Sequence, residues 1–255
     1  MLSRSEEKRI RGLARRKNRE AEGLFLAEGV RVVEELLGAG VVPRLAVVSS
    51  SLEDTERGVR LAARLPAAVE VRHVSASELK ALSDTSTPQG VLVVAETPGA
   101  SLAALAPAGP SVVLVLDGVQ DPGNLGTLGR AAAAFGCDGL VYLPGTVDPW
   151  SPKAVRASAG AVFRIPVVAA TVEGLDGWRA RHGYVLAGAD AGGEPVGPLG
   201  ERVALVVGNE GAGLTGAVAA RCDRFVSVPM RGGTESLNVA VAGGILLYEL
   251  TRGQG

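Results

Sequence analysis

Residues 225–250 read FVSVPMRGGTESLNVAVAGGILLYEL, and the rest of the chain is organised around this stretch. A short run typical of a β-strand, 225–228, is followed by a proline and a glycine-bearing loop, 229–234. The run 239–250 is apolar on every side, so the helix it predicts must be buried in a core or against another chain. Asn238 stands directly before this helix and can cap its free N–H groups. Taken alone, the stretch fits an ordinary glycine turn and cap as well as a functional site, but two similar loops precede it.

Length and composition describe a folded protein of one or two domains. The chain has 255 residues, of which 47% are hydrophobic and 21% are charged. This balance allows each domain its own core. No apolar run approaches the roughly 18 residues that suggest a membrane span, and the charged N-terminus carries no apolar segment of the secretory kind. We therefore expect a cytoplasmic protein with no membrane partner.

Metal and histidine chemistry are not expected from this sequence. Cys137 and Cys222 are far apart and form no CxxC pair, which disfavours a zinc site or a disulfide framework. His73 and His182 lie outside every promising loop. The prediction is a site without a metal ion.

Charge is unevenly distributed, although the net charge is only −1. Residues 1–19 contain eight Arg or Lys side chains against Glu6 and Glu7. Such a basic arm is a candidate contact for the phosphate backbone of a nucleic acid. A solvated helix face is the alternative that charge alone leaves open.

The first 95 residues alternate between helical and strand-like patterns and indicate a compact α/β domain. Helices are predicted at 6–19, 30–37, 53–65 and 77–82, and strands at 45–48, 69–74 and 91–95. A stretch rich in Ala, Pro and Gly follows at 97–110 and is typical of a linker. The predicted domains are therefore 1–97 and 111–255, with residues 98–110 as the linker.

Strands and helices alternate again after the linker. Strands are predicted at 112–116, 139–143, 163–168, 184–189, 203–207 and 225–228, and helices near 126–135, 152–160, 171–181, 213–221 and 238–251. Continuous apolar strands such as VVLVL favour a parallel sheet covered on both faces. Ligands bind such sheets at the carboxyl ends of the strands, where three loops carry glycines and polar side chains.

The first of these loops, LDGVQDPGNLGTLGR at 116–130, has the residues of a tight turn followed by a helix. Arg130 lies about one and a half turns into that helix, after Asn124, and can point back toward the loop. A surface arginine paired with any nearby carboxylate is the alternative. The rest of the helix is rich in alanine and uncharged, which weakens that alternative.

The second loop, VVGNEGAGLTG at 206–216, contains a literal GxGxxG after a strand. That pattern is typical of dinucleotide sites, so an oxidoreductase is one hypothesis. Two features count against it. The pattern normally marks the first strand–helix unit of a domain, and Glu210 would bring negative charge to the pyrophosphate.

NLGTLGR, GNEGAGL and PMRGGTESLNVAVA, in this order and spacing, resemble the three motifs of the SpoU (TrmH-type) family of RNA ribose 2′-O-methyltransferases, of the SPOUT class. The resemblance covers essentially the whole of 111–255. In the first domain, 19–37 and 85–95 are similar to the ribosomal-protein-like RNA-binding domain that many members carry. The pair Gly243–Gly244 is unusual inside a helix, because each glycine costs about 1 kcal/mol relative to alanine.

The resemblance implies a fold and a reaction. The fold is α/β, with a C-terminal SPOUT domain that contains a parallel sheet and a deep trefoil knot, and a smaller N-terminal α/β RNA-binding domain. The reaction is methyl transfer from S-adenosylmethionine to a ribose 2′-hydroxyl of structured RNA, with 23S ribosomal RNA favoured by the first domain. The family's dimers bury the last helix, which implies a homodimer through the SPOUT domain. DNA is not expected as a partner, because it lacks the 2′-hydroxyl.

The resemblance also implies the site residues. Arg130 is implied as the catalytic arginine. A guanidinium is a poor base in water, so proton removal and purely electrostatic stabilisation both stay open. The residues implied to position it, the ribose and the cofactor loop are Asn124, Glu210, Ser236 and Asn238. The cofactor-binding residues implied are Gly208, Val228, Met230, Gly232 and Leu237.

Two alternatives remain beside this interpretation. The substrate could be transfer RNA, or the chain could be a non-catalytic RNA-binding or ribosome-assembly protein on the same scaffold. A methyl-transfer assay separates the enzyme from the binding protein.

Overall fold

A computed structural model of the chain describes residues 2–106, 108–231 and 236–252. The strands, in chain order, are β1 (Leu24–Glu28), β2 (Leu45–Ser49), β3 (Glu70–Val74), β4 (Val91–Glu96), β5 (Ser111–Leu116), β6 (Gly139–Tyr142), β7 (Val167–Ala169), β8 (Val185–Pro195), β9 (Arg202–Val207) and β10 (Arg224–Ser227). The helices are α1 (Arg4–Gly12), α2 (Arg16–Glu22), α3 (Val30–Gly38), α4 (Glu56–Arg64), α5 (Ala76–Leu82), α6 (Pro122–Ala134), α7 (Pro152–Ala157), α8 (Val172–His182), α9 (Gly216–Ala219) and α10 (Val239–Thr251). None of the helices in this described part is long and apolar enough to cross a bilayer.

The chain divides into two units, and one of them is discontinuous in sequence. The first unit comprises Met1–Pro98 and Asp148–Phe163. The second comprises Gly99–Val147 and Arg164–Gly255. The chain therefore leaves the second unit after β6, returns to the first for sixteen residues that include α7, and then goes back. The division predicted from the sequence does not contain this return.

The first unit is built on a four-stranded sheet with the order β1-β4-β2-β3. β4 is antiparallel to β1 and β2, whereas β2 and β3 are parallel. The sequence patterns do not predict β1, because its five residues are all buried and show no alternation to distinguish a strand from a helix. The single helix predicted over 6–19 is wrong. The side chain of Asn18 donates to the carbonyl of Gly12 at 2.9 Å and closes α1 before α2 begins.

Much of the basic N-terminal arm is paired within the protein. Its ion pairs to carboxylates are Arg9–Glu22, Arg11–Glu7, Arg16–Glu20 and Arg19–Asp148. Arg19 is buried, and its Nε donates to Oδ2 of Asp148 at 2.8 Å, while its Nη1 donates to the carbonyl of Leu13 at 2.7 Å. The side chain of Arg19 therefore binds Asp148–Phe163, called here the returning segment, and is not free to contact a nucleic acid.

Aromatic rings also join the returning segment to the first unit. The ring of Phe25, in β1, lies 5.3 Å from that of Trp150 and 5.6 Å from that of Phe163, measured between centroids. Phe25 and Trp150 are buried. Aromatic pairs at such distances stabilise a core beyond the area they bury, so Asp148–Phe163 contributes to the core of this unit.

The second unit is built on a six-stranded sheet with the order β10-β8-β9-β5-β6-β7, in which the pairings are parallel. Every residue of β5 is buried, as the continuous apolar run predicts. α10 lies against α6, β5 and β9. The predicted α/β class with a parallel sheet is confirmed.

Several boundaries after the predicted linker differ from the prediction. β8 runs to Pro195 instead of ending at 189, and α7 ends at Ala157 instead of 160. α6 begins at Pro122 rather than near 126, because Asp121 caps it through the backbone N–H of Asn124. β7 begins only at Val167, since Ala161–Phe163 forms a 3₁₀ turn. The helix predicted at 213–221 is reduced to α9.

The pairing of β10 with β8 contains a bulge beside the functional site. Phe225 of β10 pairs with Gly188 of β8, but the next residue, Val226, pairs with Glu194. Residues 189–193 of β8 therefore bulge out of the sheet at its carboxyl edge. No side chain fits at Gly193, because a Cβ there would overlap the backbone between Phe225 and Val226.

Candidate active site

Four adjacent strands, β10, β8, β9 and β5, end at one edge of the second sheet. The three loops singled out in the sequence follow β5, β9 and β10. Because parallel strands bring their carboxyl ends together, these loops meet.

The loop after β9 is shaped by Asn209. Its Oδ1 accepts from the backbone N–H groups of Gly211 and Ala212, both at 2.9 Å, and its Nδ2 donates to the carbonyl of Gly118 at 2.8 Å. The neighbouring Gly208 has no room for a side chain, because a Cβ would overlap the backbone of Gly213. The loop is a tight turn attached to the end of β5.

Glu210 joins this turn to the start of α6. One carboxylate oxygen accepts from Nδ2 of Asn124 at 3.0 Å and from the N–H of Asp121 at 3.1 Å, and the other accepts from the N–H of Gln120 at 3.2 Å. Burial alone would raise the pKa of Glu210. The hydrogen bonds, led by that from Asn124, favour the charged form and lower the pKa below its ordinary value.

Asn238 joins the third loop to the same group. Its Oδ1 accepts from the N–H groups of Ala240 at 2.9 Å and Val241 at 3.3 Å, which is the helix cap predicted from the sequence. Its Nδ2 donates to Oδ1 of Asn124 at 3.1 Å. Glu210, Asn124 and Asn238 therefore form one continuous set of hydrogen bonds, called here the three-loop network.

A cavity of about 330 Å³ opens beside this network. It is lined by the bulge of β8, the turn after β9, the loop after β10 and the first half of α10. The predicted site residues in its wall are Gly208, Glu210, Val228, Met230, Ser236 and Leu237. Asn124 and Asn238 are not in the wall, but Asn124 bonds to Glu210 in the wall and Asn238 bonds to Asn124. Gly232 lies outside the described residues.

Arg130 stands apart from the three-loop network. It is exposed on α6, and its side chain makes no hydrogen bond or ion pair within the described ranges. That its side chain points back toward the loop of Asn124 stays a prediction. Because Asn124 already lies in the first turn of α6, the two side chains point about 120° apart around the helix and stand roughly 9 Å apart along it.

Several residues of the site are not predicted by the sequence patterns. Asp117 is buried and accepts from the backbone N–H of Thr215 at 2.6 Å, so it ties the end of β5 to the start of α9. Asp190 lines the cavity from the bulge. The strand-end rule could have indicated Asp190, whereas the partners of Asp117 and Asn209 are set by tertiary contacts.

The chemistry that this arrangement offers is polar but without metal ligands. No group of three or more His, Cys, Asp or Glu within the described residues could hold a metal ion. The cavity combines an apolar floor, exposed backbone groups beside glycines, and the carboxylates of Asp190 and Glu210. Such a pocket suits a small, partly apolar ligand, and the two carboxylates favour one that carries positive charge.

Family models match most of the chain. Residues 111–248 match the model described as the SpoU rRNA methylase family. Residues 5–93 match the model described as an MRM3-like substrate binding domain. The first match contains all three loops of the candidate site.

Individual proteins match over nearly their whole length. The chain is 37% identical to the 23S rRNA (guanosine(2553)-2′-O)-methyltransferase RlmP of Bacillus subtilis, over 92% of this chain and 91% of that protein. The structure resembles that of the SpoU methyltransferase AviRb of Streptomyces viridochromogenes in complex with AdoMet, with a TM-score of 0.89, 29% identity, and 99% and 98% of the two chains covered. It also resembles the AdoMet-bound rRNA methyltransferase of Sinorhizobium meliloti, with a TM-score of 0.85, 30% identity, and 99% and 97% covered.

Proposed function

The chain belongs to the SpoU rRNA methylase family, and we propose that it transfers a methyl group from S-adenosylmethionine to a ribose 2′-hydroxyl of large-subunit ribosomal RNA. The observation that carries this proposal is the meeting of the three family motifs around one cavity, through the three-loop network. The AdoMet-bound relatives support the donor, and the RlmP relative supports the RNA.

The cavity suits the donor. Val207, Val226 and Leu246 are buried apolar residues in its wall, against which an adenine ring can pack. Gly208 also lines the cavity and, because it carries no side chain, lets the turn after β9 close tightly beside it. Asp190 and Glu210 bring negative charge to the cavity that receives a sulfonium cation. When bound there, S-adenosylmethionine supplies an activated methyl group.

The catalytic role is assigned to Arg130. A guanidinium keeps its proton throughout the physiological range, so its proposed action is electrostatic: it holds an RNA phosphate and stabilises negative charge on the 2′-oxygen. Its side chain has no ion-pair partner among the residues that the structure describes, which supports this role, because an arginine committed to an ion pair could not bind a phosphate. Asn124, Glu210, Ser236 and Asn238 are proposed to position the donor loop and the ribose.

Substitution of Arg130 tests this assignment. Arg130→Ala and Arg130→Lys should lower the rate of methyl transfer at least 100-fold. Alanine removes the charge at the reacting oxygen, and lysine keeps the charge but loses the planar fork that would hold it in place on a phosphate. Affinity for S-adenosylmethionine, measured by calorimetry, should be unchanged. Arg181→Ala, at an exposed position in the last turn of α8, is the control. Near-wild-type turnover in either Arg130 variant would exclude the role.

The RNA itself is identified by a second assay. Transfer of tritiated methyl groups to 23S ribosomal RNA but not to transfer RNA is expected, followed by mapping of the modified ribose. Methylation of transfer RNA alone would favour the alternative substrate. Binding of 23S ribosomal RNA without any transfer would favour a non-catalytic assembly protein.

The first unit is proposed to select the RNA. Residues 5–93 match a substrate-binding domain, which supports an RNA-binding domain at 1–97. The match over 111–248 supports a methyltransferase domain that begins after the proposed linker at 98–110. The returning segment Asp148–Phe163 extends the RNA-binding unit in this proposal.

We also propose that the second unit is tied in a deep trefoil knot, as the family resemblance implies. The bonds between the turn after β9 and the loop after β5 are compatible with this proposal, because they join segments distant in sequence where the resemblance implies the knot. In single-molecule pulling from both termini, a knot shortens the extended chain below the roughly 3.3–3.6 Å per residue of a linear one. A fully linear length would exclude the knot.

A homodimer through α10 completes the proposal. One face of α10 is buried, whereas Val241, Ile245 and Tyr248 remain 50%, 39% and 50% exposed at helical spacing. Phe135, directly after α6, packs edge-on against Tyr248 and extends this apolar surface. A contiguous apolar patch of this kind marks an interface.

Charge placed on this surface tests the dimer. Ile245→Glu should shift the molar mass in light scattering from about twice 25.9 kDa to 25.9 kDa, because an unpaired carboxylate cannot be buried in an apolar interface. Val59→Glu is the matched control, since Val59 is 50% exposed on α4 of the other unit. A wild-type monomer, or a dimer that survives Ile245→Glu, contradicts this interface.

A further inference from the structure

A second cavity lies wholly within the first unit. It has a volume of about 310 Å³ and lies among the N-terminal turn of α3, the loop before β4 and the end of α7. Its wall includes Glu28, Gly29, Arg31, Thr85, Gln89 and Arg156. It shares no residue with the cavity of about 330 Å³ in the second unit, which is proposed to bind S-adenosylmethionine and is called here the donor cavity. A cavity of this size can hold one small organic group such as a nucleotide.

Arg156 brings a largely unused guanidinium to this cavity. Its Nη1 is shielded from solvent and has no hydrogen-bond acceptor among the described residues. Its Nη2 makes one long hydrogen bond, 3.4 Å, to Oδ2 of Asp84, whose side chain is 65% exposed. A desolvated donor without an acceptor is costly and indicates a missing ligand or water. A planar guanidinium matches the oxygens of a phosphate.

Arg31 supplies a second positive charge. It is exposed in the first turn of α3, and no hydrogen bond or ion pair joins its side chain to any part of the chain that the structure describes. Gly29 precedes this turn with a φ of 96°, a conformation that favours glycine. The N-terminus of α3 also carries a partial positive charge, as helix N-termini do, which adds to the charges of the two arginines.

Glu28 and Gln89 offer hydrogen-bonding groups of the kind that read a base. Oε1 of Glu28 accepts from the hydroxyls of Ser83 and Thr85, while its Oε2 has no partner within the described residues. Oε1 of Gln89 accepts from the N–H of Val30 at 3.0 Å, which fixes the amide and leaves its N–H₂ group for a ligand. An acceptor and a donor side by side match the edge of a nucleobase.

We propose that this cavity binds one nucleotide of the substrate RNA, with its phosphate held by Arg31 and Arg156 and its base against Glu28 and Gln89. This rests on the proposed function, since it gives a place to the same RNA. The wall of the cavity contains two guanidinium groups and one carboxylate, so its charge favours an anion over a cation. The anionic group that every nucleotide of RNA carries is its phosphate.

The test uses the full chain and 23S ribosomal RNA transcribed in vitro as the probe. The double variant Arg31→Gln/Arg156→Gln should bind this RNA at least tenfold more weakly. The slope of log affinity against log salt should fall by about 0.7 for each phosphate that the protein no longer neutralises. Arg60→Gln is the matched control, because its guanidinium is 66% exposed on α4 and is not in the wall of this cavity. Affinity for S-adenosylmethionine should not change in either variant.

The outcomes separate the site from the function. If the wild type methylates the RNA and the folded double variant binds it as tightly as Arg60→Gln does, the site is overturned and the function stands. If the wild type neither binds nor methylates the RNA, both are overturned. Should the double variant unfold, Arg31→Gln alone, at an exposed position, must weaken binding in the same direction. Arg156→Lys, which keeps the charge but loses the planar fork, should retain part of the affinity.

Discussion

The amide of Asn124 can serve the three-loop network in only one orientation. The carboxylate of Glu210 accepts and cannot donate, so it fixes Nδ2 of Asn124 on its own side. Oδ1 of Asn124 must then face Nδ2 of Asn238, which leaves Oδ1 of Asn238 to cap α10. A single negative charge at Glu210 thus sets the direction of every bond in the network.

Glu210→Gln should therefore loosen the site. Glutamine carries one oxygen where the wild type offers two acceptors, so its N–H₂ group must face a backbone N–H of Gln120 or Asp121. We expect a loss of about 1 kcal/mol, or about 2–4 °C in melting temperature at neutral pH, for a largely exposed site. Affinity for S-adenosylmethionine should fall as well, because Glu210 lines the donor cavity.

The pH dependence of this variant has a definite sign. The pKa of Glu210 is lowered from 4.5 in the folded protein. Its contribution to stability is therefore complete above pH 4.5 and is lost as the pH falls through the folded pKa. The difference in melting temperature between wild type and Glu210→Gln should shrink below pH 4.5. Glu56→Gln, with a side chain that is 92% exposed, is the control, and a difference that stays constant contradicts the assignment.

At the scale of elements, the two adjacent glycines of α10 have different reasons to be there. A Cβ on Gly243 would overlap the side chain of Leu128 in α6 and press on Val207 in β9. A Cβ on Gly244 would make only an ordinary contact, 3.8 Å from Cβ of Ala131. The first glycine lets α10 approach α6 and the sheet, and the second is only a weak helix former.

Matched alanine substitutions should therefore act in opposite directions. Gly244→Ala should raise the free energy of unfolding by about 1 kcal/mol through helix propensity. Gly243→Ala should lower it by about 1–3 kcal/mol through overpacking, and should weaken donor binding because Gly243 lines the donor cavity. Denaturant unfolding and donor titration measure both effects. Equal behaviour of the two variants would show that the close approach of α10 to α6 is unimportant.

The sequence predicts elements well where local signals are strong. The apolar run of β5 and the capped α10 are confirmed almost to the residue. The start of α6 could have been read from Asp121 and Pro122, a capping residue followed by a proline in the first turn. β1 is different, because five buried residues carry no periodicity. The bulge in β8 depends on the backbone of β10, which no local pattern contains.

At the scale of the whole molecule, the first unit depends on a buried ion pair across 129 positions of sequence. The side chains of Arg19 and Asp148 are only 4% and 11% exposed. Each partner is held further: Arg19 donates to the carbonyl of Leu13, and Asp148 accepts from the N–H of Trp150. Such a pair is costly to break because the remaining charge stays buried.

Arg19→Ala should lower the free energy of unfolding of the first unit by about 3–5 kcal/mol. Arg9→Ala, which breaks the exposed pair with Glu22, should cost less than about 1 kcal/mol. Hydrogen exchange followed by mass spectrometry can report the two units separately. Reduced protection in β1 and α7 with β5 and β9 unaffected is the expected pattern. Similar small effects from both variants would mean that the returning segment is held by its aromatic rings alone.

Long-range organisation is what the sequence could least predict. The motif order identifies the family and the α/β class, and the three strand-end loops indicate the site. The basic arm misleads, because Arg19 looks like its neighbours in sequence yet is buried against Asp148. The return of Asp148–Phe163 depends on Phe25 and Arg19, more than a hundred residues upstream, and local patterns carry no trace of it.

This return has a consequence for how the protein is made. The first unit cannot finish folding until the ribosome has translated past Phe163. By then β5 and β6 have already been translated, while β8 and β9 are still to be synthesised. Until then the four strands of the first sheet are complete but lack the segment Asp148–Phe163 that packs on Phe25, and the second sheet still lacks strands. Translation pauses before and after residue 163 should affect the yield of native protein differently.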